Sequence, residues 1–205
     1  MAGEQKYTPM VGVDMLYYAK VTSDTTAEYT AETPVRIPGL TEAGVNMNPQ
    51  ISTFYADNGP YATDTALGDL DVSIACADVP PKLKADLFGF AFDESTGELS
   101  VSDLKPSDVA ILYRIANSSG GHRYVCIYKA KAVPNEERAQ TKGGSINFQT
   151  NGFTLKGARR LKDGRLFRIL DDNDPSLPAG VTPELIQEKW FSDVDWVVAA
   201  PSAGA

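Results

Sequence analysis

From Leu70 onward the side chains alternate strictly. Leu70, Val72, Ile74 and Cys76 fall on one side, and Asp69, Asp71, Ser73 and Ala75 on the other. A period of two puts one face of an extended segment in a core and the other toward water or a lumen, so a strand with Asp69 and Asp71 on its polar face is predicted. The aromatic and branched run GVDMLYYAKV (12–21) predicts another strand. Residues 22–33 are polar and threonine-rich, which suits a loop or a strand extension. PVRIPGL (34–40) contains Pro34 and Pro38, which suits an edge strand better than a central one. Residues 41–65 hold Gly, Pro, Asn and Thr with few large apolar groups, and predict a long loop in which Asp57-Asn58-Gly59 is a turn. A loop of that length in a compact domain is unusual and often functional.

Beyond the alternating strand the period changes. Leu83, Leu87 and Phe90 follow helical spacing after Pro80 and Pro81, which predicts a short helix ending near Gly89. Residues 93–103 are a polar turn or hairpin. DVAILYRIA (108–116) and HRYVCIYKAKAV (122–133) flank NSSGG and predict a β-hairpin. Both of its strands are partly apolar on both faces. Residues 134–144 form a charged loop, residues 145–161 one long strand or two, and KDG a tight turn into RLFRIL (165–170). In TPELIQEKWF (182–191), Thr182 suits an N-cap, Pro183 the first helical position, and Ile186 with Trp190 an apolar i, i+4 pair. The balance is mainly β, a sandwich or half-barrel with one short flanking helix and a C-terminal helix. Residues 1–175 form the β domain, and 176–205 an extension that belongs to it or sits beside it.

Composition changes this picture little. The chain has 205 residues, 42% hydrophobic and 22% charged, ordinary for a globular fold. Lys plus Arg number 19 against 27 for Asp plus Glu, a net charge of -8, which argues against a general nucleic-acid binder. The polar N-terminus lacks a signal-peptide core and no stretch approaches the roughly 20 apolar residues of a membrane span, so a protein made in the cytosol, with no membrane partner, is expected. Cys76 and Cys126 read as buried small apolar residues.

Candidate chemistry is sparse. His122 is the sole histidine and is expected on the surface, without a nucleophile beside it. Asp171, Asp172 and Asp174 are adjacent acids before a proline, a solvated turn rather than a calcium loop. Lys142-Gly143-Gly144-Ser145 has the letters of a phosphate loop in the wrong order. No enzyme motif, metal set or cofactor motif emerges. The basic cluster of Lys156, Arg159, Arg160, Lys162, Arg165 and Arg168 lacks the interleaved aromatics of a nucleic-acid binder. It reads as a solvated sheet face, or as a positive strip that meets the acidic strip Asp64–Asp71 on another copy.

Four segments in this order form a recognisable set: GVDMLYYAKVTSDT (12–25), PVRIPGLTEAGVNMNPQISTFYADNGPYATDTALGDLDVSI (34–74), HRYVCIYKAKAVPNEE (122–137) and TKGGSINFQT (141–150). Over about residues 10–170 the chain resembles the phi13-type major tail proteins of long-tailed phages of Gram-positive bacteria. Ala62-Thr63-Asp64 stands where that pattern carries a Glu-bearing stretch, and TPELIQEKWF lies beyond the resemblance.

The resemblance implies a tail tube subunit with no catalytic residues. Its fold would be a β-sandwich or half-barrel flanked by a helix. Six copies would form a ring whose inner sheets join into a barrel, and rings would stack into a conduit for DNA. The partners implied are further copies of the chain, a tape-measure protein, and terminator or tip proteins, with DNA passing through unbound. The expected location is the virion tail, after synthesis in the host cytoplasm. A tail terminator or head-tail connector with a related sandwich is the alternative. In this frame the loop residues Tyr55, Asp57, Asn58, Gly59, Pro60 and Tyr61 order on contact with the next subunit. Asp69 and Asp71 line the lumen, and Lys156, Arg159, Arg160 and Arg165 form a charged interface.

Overall fold

The hairpin of β10 (Asp108–Asn117) and β11 (His122–Pro134) is the centre of the molecule. Its strands pair antiparallel from Ala116 opposite His122 to Asp108 opposite Lys131. Both are buried on both faces, which explains why neither shows clean alternation. This is a computed structural model, and it describes residues 8–137, 140–141 and 149–198.

On one flank of the hairpin lies β1 (Met10–Asp24), paired with β10. Its far edge carries β3 (Val35–Ile37) and, further along, β2 (Tyr29–Ala31). The threonine-rich segment 22–33 is thus a strand end and a short return strand. On the other flank β11 serves two neighbours. Its first half pairs with β13 (Phe167–Asp171) and its second half with β12 (Asn151–Gly157). From β12 the ladder continues to β7 (Leu70–Cys76) and ends at β4 (Leu40–Asn46). Nine strands therefore join one antiparallel sheet among the described residues. Each expectation for residues 142–148 lies outside those residues, including the first part of the predicted 145–161 strand.

The sheet folds over on itself. At the corner between β3 and β4, Gly39 takes a φ of 83°, and a Cβ there would sit 2.8 Å from the Ala77 Cβ. Only glycine combines that backbone with so close an approach. The turn brings β4 back near β1. The first core lies inside this fold: Leu16, Ile37, Val72, Ile74, Val109, Ile111, Ile127, Phe153 and Leu155 are all buried there. Helix α1 (Pro81–Phe88) closes its open side with Leu83, Leu87 and Phe88. It ends at Gly89 in the left-handed conformation, as the spacing predicts.

A second core lies on the outer face of β1, β10 and β11, under helix α2 (Pro183–Trp190). Thr182 caps α2, its hydroxyl accepting the Leu185 amide at 3.3 Å. Ile186 and Trp190 are buried against Tyr124, Cys126 and Tyr128. The C-terminal helix is therefore a third layer on the sheet. The protein is mainly β, an antiparallel sandwich-like sheet with, among the described residues, two short helices. Both cysteines are free and buried, and burial pushes the Cys126 thiol up to about 11. Among the described residues no helix is long and apolar enough to cross a membrane.

Among the described residues two strand pairs stand outside the main sheet. One is β8 (Ala91–Asp93) with β9 (Glu98–Ser100), the hairpin predicted over 93–103. The other is β5 (Gln50–Ala56) with β6 (Gly59–Ala66). The expected loop over 41–65 is therefore corrected: it is the strand β4 followed by a hairpin. It looked like a loop because neither β5 nor β6 turns a face into a core.

Candidate assembly surface

The β5–β6 hairpin is an arm. Its strands pair with each other and, among the described residues, with no other strand. Seven residues of β5 at about 3.3 Å each give it a length of roughly 20 Å. At the tip, Asp57 and Asn58 have φ of 50° and 60°. Two consecutive positive φ values make a type I′ turn, whose twist matches the strands, and Asp and Asn tolerate it better than other non-glycine residues. Thr53 and Thr63 share a hydroxyl contact at 3.3 Å across the ladder. Phe54 and Tyr61 meet edge to face, 6.2 Å between ring centroids.

What the arm lacks is a cover. Ile51, Phe54, Tyr55 and Tyr61 are 69%, 64%, 68% and 74% exposed. An isolated two-stranded hairpin is marginal in water, and clustered exposed aromatics mark an interaction surface. Of the residues expected at an inter-subunit contact, the structure gathers Tyr55, Asp57, Asn58, Gly59, Pro60 and Tyr61 at one end of this arm. Phe54, opposite Ala62, joins them, and the exposed Ile51, opposite Thr65, lies near the base of the arm. Their signal was present in the sequence: a D-N-G turn between runs of Thr, Tyr, Phe and Ile is a hairpin pattern.

The arm is clasped at its base. Asn48, with φ 41°, donates from Nδ2 to the Asp69 carbonyl at 2.9 Å and to Asp71 Oδ2 at 3.0 Å. Opposite it, a Cβ on Gly68 would fall 2.0 Å from the Asn48 carbonyl oxygen, so the two legs can cross only over a glycine. Asp71 also accepts Lys156 Nζ at 2.6 Å. The Lys156 hydrogen bond, then that of Asn48, holds the Asp71 carboxyl below the usual range. The alternation over β7 holds, yet Asp71 is not a free wall charge: it ties the arm to β7 and β12. Asp69 precedes β7 and is exposed.

The basic strip is also corrected. Lys156 meets Asp71, in the acidic strip of its own chain, with its side chain 59% exposed. Arg160 is 2% exposed and cannot reach a neighbour. It forks onto Asp163 at 2.7 and 2.6 Å, reaches Asp195 at 2.6 Å, and stacks 3.7 Å above the Tyr128 ring. Lys162 joins it on Asp195 at 2.6 Å, and Arg165 on Asp163 at 3.2 Å. Arg159 donates to the Gly164 carbonyl at 2.9 Å and is exposed. A buried guanidinium is tolerated only with paired carboxylates, and these come from a turn and from beyond α2. No spacing rule points to Asp195.

This cluster has a pH signature. The Arg160 hydrogen bond lowers the Asp163 carboxyl to about 2, against about 3.9 in an unfolded chain. A depressed carboxylate stabilises the fold above the unfolded value and loses that contribution as pH falls toward the folded value. The gap in melting temperature between wild type and Asp163→Asn is therefore expected to be largest above about pH 4 and to close on acidification toward the folded value. Thermal denaturation across that range reads it; a gap independent of pH would contradict the pairing.

His122 is half-buried rather than on the open surface. Its backbone amide donates to Asp172 Oδ1 at 2.7 Å, and its ring Nδ1 lies 3.1 Å from Oδ2 of the same buried carboxylate. The pair ties the β10–β11 turn to the chain after β13. Ser119, nearby in sequence, gives its hydroxyl to Asn117 Oδ1 at 2.8 Å. Among the described residues no group of three or more His, Cys, Asp or Glu is placed to hold a metal.

No family model matches the chain, and no curated protein matches it. The surface that stands out is the bare arm beside β4, the strand at which the sheet ends.

Proposed function

We propose that this chain is a self-assembling structural subunit of a phage tail tube, its copies closing into stacked, six-membered rings around a DNA conduit. The observation that carries this reading is the β5–β6 arm, a hairpin bare on both faces and tipped with aromatics. A monomer gains nothing from such an element, whereas a neighbour that covers it does. The open edge of β4 supports the reading, since an unpaired strand is a template for pairing with another chain. The longest of the four segments that carry the resemblance to the phage tail proteins, residues 34–74, runs from β3 into β7 and so contains both features.

Tape-measure and terminator or tip proteins are the further partners of this role, and it needs no catalysis and no cofactor. The net charge of -8 suits passage of DNA without adhesion. Wall carboxylates repel phosphates over about 8 Å at physiological salt. The exposed Asp69 is the remaining candidate for that wall.

Sedimentation and negative-stain microscopy over a concentration series test the reading. Rings and tubes are expected at high concentration or with tail partners. A compact single-copy particle under every condition overturns it, and single rings that never stack point to a terminator.

A further inference from the structure

We infer that the aromatic arm of one copy docks into a groove at the sheet corner of the next copy, between β3 and the start of α1. The inference deepens the assembly reading above and rests on it. The groove has a volume of about 490 Å³. Tyr18, Ile37 and Leu83 form its buried floor, and Val35, Pro38 and Pro80 its walls. Val35 is 52% exposed there. A concavity of this size and apolar character accepts one or two aromatic rings.

The polar groups of the groove are already arranged for an apolar, acidic guest. Asp86 accepts the Tyr18 hydroxyl at 2.8 Å and Lys20 Nζ at 2.5 Å, so its charge is neutralised in place. Asp78 accepts the Val79 amide at 2.8 Å. The cations at the rim are Arg36 and Lys82. Lys82 pairs with Glu94 at 3.0 Å, but both side chains are well exposed, and such a pair exchanges partners at little cost.

The arm has the complementary character. From residue 37 to residue 81 the chain contains no Lys or Arg, and the arm carries Asp57 and Asp64. Arg36 and Lys82 bracket that cation-free stretch in sequence and meet at one groove in space. The β3 edge is short and follows Pro34, with Pro38 just beyond it, which blunts strand addition. Ring insertion, with Asp57 or Asp64 near Arg36 and Lys82, is therefore the contact that fits. Arm and groove are different surfaces of one chain. Their contact is heterologous, and a heterologous contact propagates into a ring or a stack.

The test uses the full chain. Its two cysteines are buried, so single new thiols at Tyr61→Cys and Val35→Cys are selectively reactive. Mixed and mildly oxidised, the two variants should give a disulfide-linked dimer that neither gives alone. Separately, Val35→Asp should raise the concentration needed for assembly about 30-fold, the loss of one interface hot spot, with an unchanged circular dichroism spectrum and melting temperature. If wild type assembles but the cross-link is absent, or Val35→Asp assembles like wild type, the groove is the wrong surface and the assembly reading stands. If wild type never assembles, that reading and this inference fail together.

Discussion

Replacing Phe54, Tyr55 and Tyr61 together by serine should leave a folded monomer that no longer assembles. The three rings are exposed and share no core with the sheet. Surface substitutions away from packed features change stability by about 0.5 kcal/mol or less, so the melting temperature should barely move. Assembly should respond very differently. A buried aromatic anchor at an interface contributes about 2 kcal/mol or more. Two such anchors lost from every contact raise the assembly concentration on the order of 1000-fold. Microscopy and sedimentation at matched concentrations read the effect. Tubes from the triple variant at the wild-type threshold would show that the arm is an ornament of the monomer.

The second large effect is expected at the opposite end of the chain. Trp190→Ala should destabilise the monomer by about 3–5 kcal/mol, the usual cost of emptying a fully buried aromatic site. Trp190 is 1% exposed, its ring 5.7 Å from that of Tyr124 and 4.2 Å from the Arg168 guanidinium. An eight-residue helix has almost no stability of its own, so α2 holds to the sheet through Trp190 and Ile186. Losing it uncovers Tyr124, Cys126 and Tyr128 on the outer face of β11. For a chain of this size each kcal/mol shifts the midpoint by about 2–4 °C, so a fall of roughly 10 °C is expected in calorimetry. A shift below about 2 °C would make α2 an appendage rather than a layer of the fold. The prediction bears on the phage resemblance too: that resemblance stops near residue 170, while the second core requires residues up to Val194.

These two sites differ in how far they could be read in advance. The α2 signal is local and complete: an N-cap threonine, a proline at the first helical position, and an apolar pair one turn apart. The arm carried an equally local signal in Asp57-Asn58-Gly59, but its flanking residues lack the apolar face by which strands are usually recognised. A hairpin held by turn chemistry and its own ladder leaves only half of the expected pattern.

Turns, caps and periods are properties of neighbours along the chain, and for these the residue order was sufficient. It carried the alternation over β7, the Gly89 and Thr182 ends of the helices, the β10–β11 hairpin and the mainly β class. Charge partners and the second buried face are not local. Lys156 finds Asp71 because β12 lies against β7, and Arg160 finds Asp195 because the segment after α2 folds back across the sheet. Likewise β10 and β11 are covered on both sides only once α2 has docked. Such contacts depend on which distant segments are brought together by burial, a property of the whole packed chain and of no single stretch within it.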